Sequence, residues 1–191
     1  MRKLLAAFFG LVLFLPAAHA RDPVVAVVRL EAPIREPLVA SVAAELVQAR
    51  RQAATELVVR IDSPGGSLGD MMEIIKAITA TGLPTTCIVG DMAASAAFII
   101  LQSEACTVRV VRPYSILMAH SVRAVLSSSA SAVELLEHAQ DLERMDRIVA
   151  LRISARLELS PDAYLAKIRG KEWTVLGEDA ITQRMADKIL P

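Results

Sequence analysis

Short apolar runs alternate along this chain with longer stretches whose apolar residues recur at every third or fourth position, which predicts strands alternating with helices in an α/β domain. Pro23 to Leu30 reads as a strand, and Pro37 to Ala54 as a helix with Leu38, Val42 and Leu46 on one face. Glu56 to Ile61 is a second strand. Gly65 and Gly66 then interrupt the chain before a helix over Ser67 to Ala80, whose Met71, Met72, Ile74, Ile75 and Ile78 make one stripe. Thr85 to Val89 is a third strand. A small-residue turn follows it, and then Ala96 to Leu101, a helix so apolar all round that it must be buried.

Cys106 to Val111 and Ser115 to Ala119 predict two more strands, and Ser121 to Ala130 is the most loop-like stretch, suited either to lining a cleft or to a plain connector. Ser131 to Leu157 predicts one long helix. At 1.5 Å per residue it would reach roughly 40 Å, further than one subunit's core can cover, so part of it is expected to pack on another copy. Ser160-Pro161 suit the cap and first turn of a short helix ending near Gly170. The chain closes with Glu172 to Val175, a helix around Glu178 to Met185, and Ala186 to Leu190.

The first residues change the compartment. Arg2 and Lys3 precede an uncharged apolar run, Leu4 to Leu15, that is short for a bilayer span, and Ala18-His19-Ala20 forms a small-x-small site. Residues 1–20 therefore read as a signal peptide and residues 21–191 as one domain, periplasmic or secreted; an uncleaved membrane anchor is the alternative. Loss of Arg2 and Lys3 leaves 19 basic against 21 acidic residues, a formal net charge of −2 that gives no sign of nucleic-acid binding. Of four Phe, Phe8, Phe9 and Phe14 lie in the leader, so with Phe98, two Tyr and one Trp the core must be packed mainly by Ala, Val, Leu and Ile. Cys87 and Cys106 are permitted to pair outside the cytoplasm, and their spacing does not decide between a bridge and two buried thiols. No CxxC or metal-ligand spacing is present, so no metal is expected.

Three strand ends carry candidate chemistry. Ser95, in GDMAASAAFII, sits at a helix start, where unpaired N–H donors and the helix dipole favour an anion. Ser63-Pro64-Gly65-Gly66 follows the second strand, and His120 ends the strand that begins at Ser115. Taken singly, these are a helix cap, a tight turn and a satisfied polar group. Together they supply a nucleophile, a base able to take its proton, and backbone donors for a developing oxyanion. His138, on the long helix, and His19, in the leader, do not compete as the base.

From about Val24 to Ile189 the chain resembles the proteolytic subunit of Clp protease, ClpP, within the ClpP/crotonase fold. IDSPGGSLGD, GDMAASAAFII and the Pro113 to His120 segment ending MAH carry the likeness, in the family's order and near its spacing. The resemblance implies a fold of repeated β-β-α units with a long handle-type helix. It also implies a serine peptidase without cofactor, with Ser95 as nucleophile, His120 as base, and the N–H groups of Gly65 and Ala96 as oxyanion hole. The family's third member is an aspartate shortly before an aromatic residue; here Arg169-Gly170-Lys171-Glu172 precede Trp173, so Glu172 is the first candidate. Asp146 or Asp141 of the long helix, a backbone carbonyl, or water could substitute.

Cytoplasmic family members form stacked rings fed by an ATP-driven unfoldase docked through N-terminal loops. Here the first strand begins almost at once, and ATP is absent outside the cytoplasm, so a homo-oligomer acting on peptides or unfolded proteins without an AAA+ unfoldase is expected. The alternatives are a catalytically silent peptide-binding scaffold and a crotonase-type acyl-CoA enzyme. The Ser-Lys branch of the same fold is disfavoured because no lysine follows Ser95 until Lys167.

Overall fold

The computed structural model describes residues 22–124 and 129–190, so the leader assigned to residues 1–20 and part of the Ser-rich loop lie outside the described residues. Strands β1 (Val25–Leu30), β2 (Glu56–Ser63) and β3 (Thr85–Ala94) run parallel, separated by helices α1 (Glu36–Arg51) and α2 (Leu68–Thr79). Their registers stack core positions into rows: Ala26, Leu57 and Thr85; Val28, Val59 and Cys87; Leu30, Ile61 and Val89. All nine are buried, whereas Val25 and Val27 between them are exposed. Period-two alternation thus gives the sheet one packed face, against which α1 lies, with α2 packed on α1 and sharing the same core. Ser67 caps α2 by accepting the Asp70 N–H at 3.2 Å. Met71, Ile74, Ile75 and Ile78 bury as expected.

The predicted third strand is longer than its apolar run. β3 continues through Gly90-Asp91-Met92-Ala93-Ala94, so a paired strand replaces the expected turn. Its first half pairs with β4 (Val108–Val111) and its second half, Met92 to Ala94, with β5 (Ile116–Ala119). β5 also pairs antiparallel with β6 (Trp173–Leu176), and β7 (Lys188–Ile189) extends the sheet beyond β4. Ladder hydrogen bonds hold the small residues extended where side-chain patterning is silent. Directly after β3, helix α3 (Ala96–Gln102) is buried along its whole length.

The long helix is shorter than expected. α4 (Ala132–Ile153) begins with a Ser131–Glu134 capping box and gives way to a 3₁₀ turn over Ser154–Leu157, with Glu158 left-handed at φ 55°. Ser160 then caps α5 (Pro161–Ile168), and the chain must leave the first helix to present that cap. The helix expected around Glu178 to Met185 does not form. Gly177 and Glu178 donate their N–H groups to Ser115 and Pro113, Met185 and Ala186 both donate to Ala180, and only a 3₁₀ turn over Gly177–Asp179 remains. Arg109 anchors this segment: its side chain is 6% exposed, paired with Asp187 at 2.7 Å and bonded to Gln102 and the Arg184 carbonyl. Cys87 and Cys106 form a disulfide, Cα–Cα 5.4 Å; Cys106 lies just before β4 rather than within it, which frees its Cβ to meet β3. No described helix is long and apolar enough to cross a membrane.

Candidate active site

Three segments converge where β3 ends. Ser95 takes φ 56° and ψ −122°, a conformation that costs a non-glycine residue of order 1–3 kcal/mol and is held by its surroundings. Its N–H donates to the Met118 carbonyl at 2.8 Å and its carbonyl accepts from Ile99, so the bend is fixed on both sides. Among the described residues its hydroxyl caps no helix N–H and makes no hydrogen bond. Ser95 is a half-exposed alcohol presented on a sharp strand-to-helix turn, with the Ala96 N–H in the first, unpaired turn of α3.

The glycine pair packs directly on this bend. Gly65 has φ +91°, and a Cβ placed on it would lie 2.6 Å from Ser95 Cβ, 2.6 Å from the Ala94 carbonyl oxygen and 2.8 Å from Ala96 N. Only glycine admits that approach. The loop is tied down from behind: Ser63 Oγ donates to the Ala32 carbonyl at 2.6 Å, and Ile34 N–H donates to the Gly65 carbonyl at 2.8 Å. The Gly65 N–H itself is turned to Ser63 Oγ at 3.2 Å, whereas among the described residues the Gly66 N–H has no partner.

His120 follows β5. Because Ala94 pairs with Met118, the parallel register sets Ser95 beside the end of β5, with His120 the next residue after Ala119. His120 Nδ1 lies 2.5 Å from the Ser121 carbonyl oxygen. A carbonyl only accepts, so Nδ1 is the donor in this contact. The Val122 N–H in turn donates to Asp146 Oδ1 of α4 at 2.7 Å. Asp146 also acts on a buried neighbour: burial, and then the Asp146 charge, push the Tyr164 phenol well above its usual range.

Glu172 stands one residue beyond the Ala119–Trp173 pair that ends the β5–β6 ladder, so the antiparallel register points it toward His120. Its carboxylate nevertheless accepts from Arg123 Nη2 at 2.9 Å, with side chains 51% and 67% exposed. Asp141 pairs with Arg144 on the outer face of α4. The structure thus packs Gly65 against Ser95 and Ala96 and sets His120 just past the end of the strand paired beside them; among the described residues Ser95 and His120 share no hydrogen bond, and the imidazole has a backbone partner. Sequence reading had no signal for the main-chain contact of Ser121 or for the Gly66 N–H, which has no partner among the described residues, and could not place Asp146.

The Clp protease family model matches residues 24–191 of this chain. No curated protein matches it.

Proposed function

Because the chain belongs to the Clp protease family, a family of peptidases, we propose that it is an exported serine endopeptidase in which Ser95 and His120 cleave peptides or unfolded proteins without an ATP-driven unfoldase. The observation that carries this reading is the strained Ser95, whose hydroxyl makes no hydrogen bond among the described residues, with Gly65 packed against it at the end of the strand paired to β5. Ser95 Oγ attacks the scissile carbonyl carbon while His120 Nε2 takes its proton. The oxyanion that forms is met by the N–H groups of Ala96 and of the glycine pair, where Gly66 supplies the uncommitted donor. His120 then returns the proton to the leaving amine, and a water repeats the sequence on the acyl-enzyme.

The Nδ1–H of His120 is held by the Ser121 carbonyl in this reading. Glu172 is the second candidate for that role, favoured by strand register and opposed by its pairing with Arg123. The Cys87–Cys106 bridge supports export, since disulfides persist in oxidising compartments. A homo-oligomer is supported by α4, which leaves Val133, Leu136, Ile148 and Leu151 exposed at 62–65%. A second copy of this chain is the occupant of that face, and sedimentation of the purified protein tests it.

A fluorophosphonate probe tests the chemistry. Wild-type protein is expected to label at one serine, with labelling abolished in Ser95→Ala and strongly slowed in His120→Ala. Folded, unlabelled wild-type protein would favour a silent scaffold instead.

A further inference from the structure

The Ser121 carbonyl that accepts from His120 Nδ1 and the Val122 N–H that donates to Asp146 belong to one peptide group. The two hydrogen bonds therefore run in series, at 2.5 and 2.7 Å, from imidazole to peptide to carboxylate. We propose that Asp146 is the positioning residue of this active site, the carboxylate of a triad whose contact with the histidine passes through the Ser121–Val122 peptide. This rests on the Ser95–His120 reading given above.

The physical reason is polarisation. An anionic acceptor on the N–H side of an amide draws its proton and leaves more negative charge on the carbonyl oxygen, and hydrogen bonds in such chains strengthen one another by about 10–30% per bond. A more negative Ser121 oxygen holds Nδ1–H more firmly and stabilises the imidazolium that forms when Ser95 gives up its proton. The geometry also fixes the peptide plane, and with it the direction from which the ring is held.

The surroundings leave Asp146 available for this. It is half-buried on α4, at the wall of a cavity of about 360 Å³ that Ser121, Glu143, Arg147 and Arg169 also line. The two arginines are engaged elsewhere, Arg147 with Asp162 at 2.8 Å and Arg169 with Glu143 at 3.6 Å. Among the described residues Asp146 has no ion-pair partner, and its carboxylate accepts from the amide leading to His120. Ser121 Oγ, donated to the Ile168 carbonyl at 3.4 Å, steadies the same segment from α5.

The test compares Asp146→Asn, which keeps an oxygen acceptor of the same shape without charge, with Asp146→Ala and with Glu143→Gln in the same cavity. The readouts are the second-order rate of fluorophosphonate labelling of the full-length protein, the kcat and KM for a fluorogenic peptide, and the His120 Nδ1–H proton resonance. Asp146→Asn is expected to slow labelling roughly tenfold through kcat with KM unchanged, to move the resonance upfield, and to melt as wild type does; Asp146→Ala is slower still. Glu143→Gln stays at the wild-type rate. A labelling rate for folded Asp146→Asn equal to wild type overturns the proposal, as does an unmoved resonance, and Asp146→Asn decides the matter should Asp146→Ala not fold. Absence of any labelling in wild type would instead sink the Ser95–His120 reading, while the resonance would still report on Asp146.

Discussion

Glu172→Gln separates the two ways of holding His120. The substitution keeps side-chain length and removes the charge. If Glu172 oriented the imidazole as the aspartate does in the Ser-His-Asp triad, its loss should lower kcat by about 10⁴, or about 5.4 kcal/mol of transition-state stabilisation. The structure predicts a far smaller effect, because the carboxylate is engaged by Arg123 and the ring already has the Ser121 carbonyl. What Glu172→Gln then removes is an ion pair whose partners are 51% and 67% exposed, worth ~0–1 kcal/mol and weaker still at high salt. The expected result is kcat/KM on a fluorogenic peptide within about tenfold of wild type, with the melting temperature lowered by no more than ~4 °C. Arg123→Ala sharpens the comparison: it releases Glu172 and should leave the rate unchanged if the peptide carbonyl is the orienter, but raise it if Arg123 had been holding the true orienter away. A four-decade loss in folded Glu172→Gln, or a gain in Arg123→Ala, would refute the backbone-held histidine.

Gly65→Ala adds a methyl 2.6 Å from Ser95 Cβ at φ +91°, so labelling of Ser95 should fall at least ~100-fold and stability by at least ~1 kcal/mol, whereas Gly82→Ala, at φ +66° with open space around it, should share only the stability loss; equal labelling by both variants would show that the close approach is irrelevant. Reducing the Cys87–Cys106 bridge opens a loop of sequence separation 19, which the chain-entropy estimate values at about 3 kcal/mol, so the melting temperature should drop by roughly 6–12 °C in a reductant-dependent scan. An unchanged melt with both thiols titratable would contradict this. Burial alone would raise the Asp187 carboxyl, but hydrogen bonds and the charge of Arg109 hold it below the usual range. Its folded-state value lies under its unfolded one, so its contribution is present above about pH 4 and is lost as pH falls further. Asp187→Asn should therefore melt lower at neutral pH and lose less on acidification, and parallel acid melts of the two proteins would exclude the pair as the source of that sensitivity.

Side-chain pattern announced most of the elements, because strands β1 and β2 and helices α1 and α2 each bury a face with its own period, two or near 3.6. Where backbone bonding decides, pattern was mute. Met92 to Ala94 carry little strand preference and still pair, because β5 offers a ladder; Glu178 to Met185 look helical, but the N–H groups of Glu178 and Met185 are taken by Pro113 and Ala180.

The candidate site divides along the same line. Ser95, His120 and the glycine pair were legible since each role demands a residue type: a hydroxyl, an imidazole, and a position without a Cβ beside Ser95. The group that fixes the imidazole tautomer requires no residue type at all, for any residue at 121 presents the same carbonyl. The sequence before Trp173 offers Glu172 as its carboxylate and is silent on a main-chain partner. The charge that we propose for this task is that of Asp146, 26 positions after His120 along the chain and joined to it through one peptide group in space. On the proposal above, a chain that lacks the expected aspartate keeps a means of orienting the base, because a main-chain amide stands between an anion and the ring. Inactivity cannot be inferred from the missing residue alone, and the labelling rate of Asp146→Asn measures what that substitute contributes.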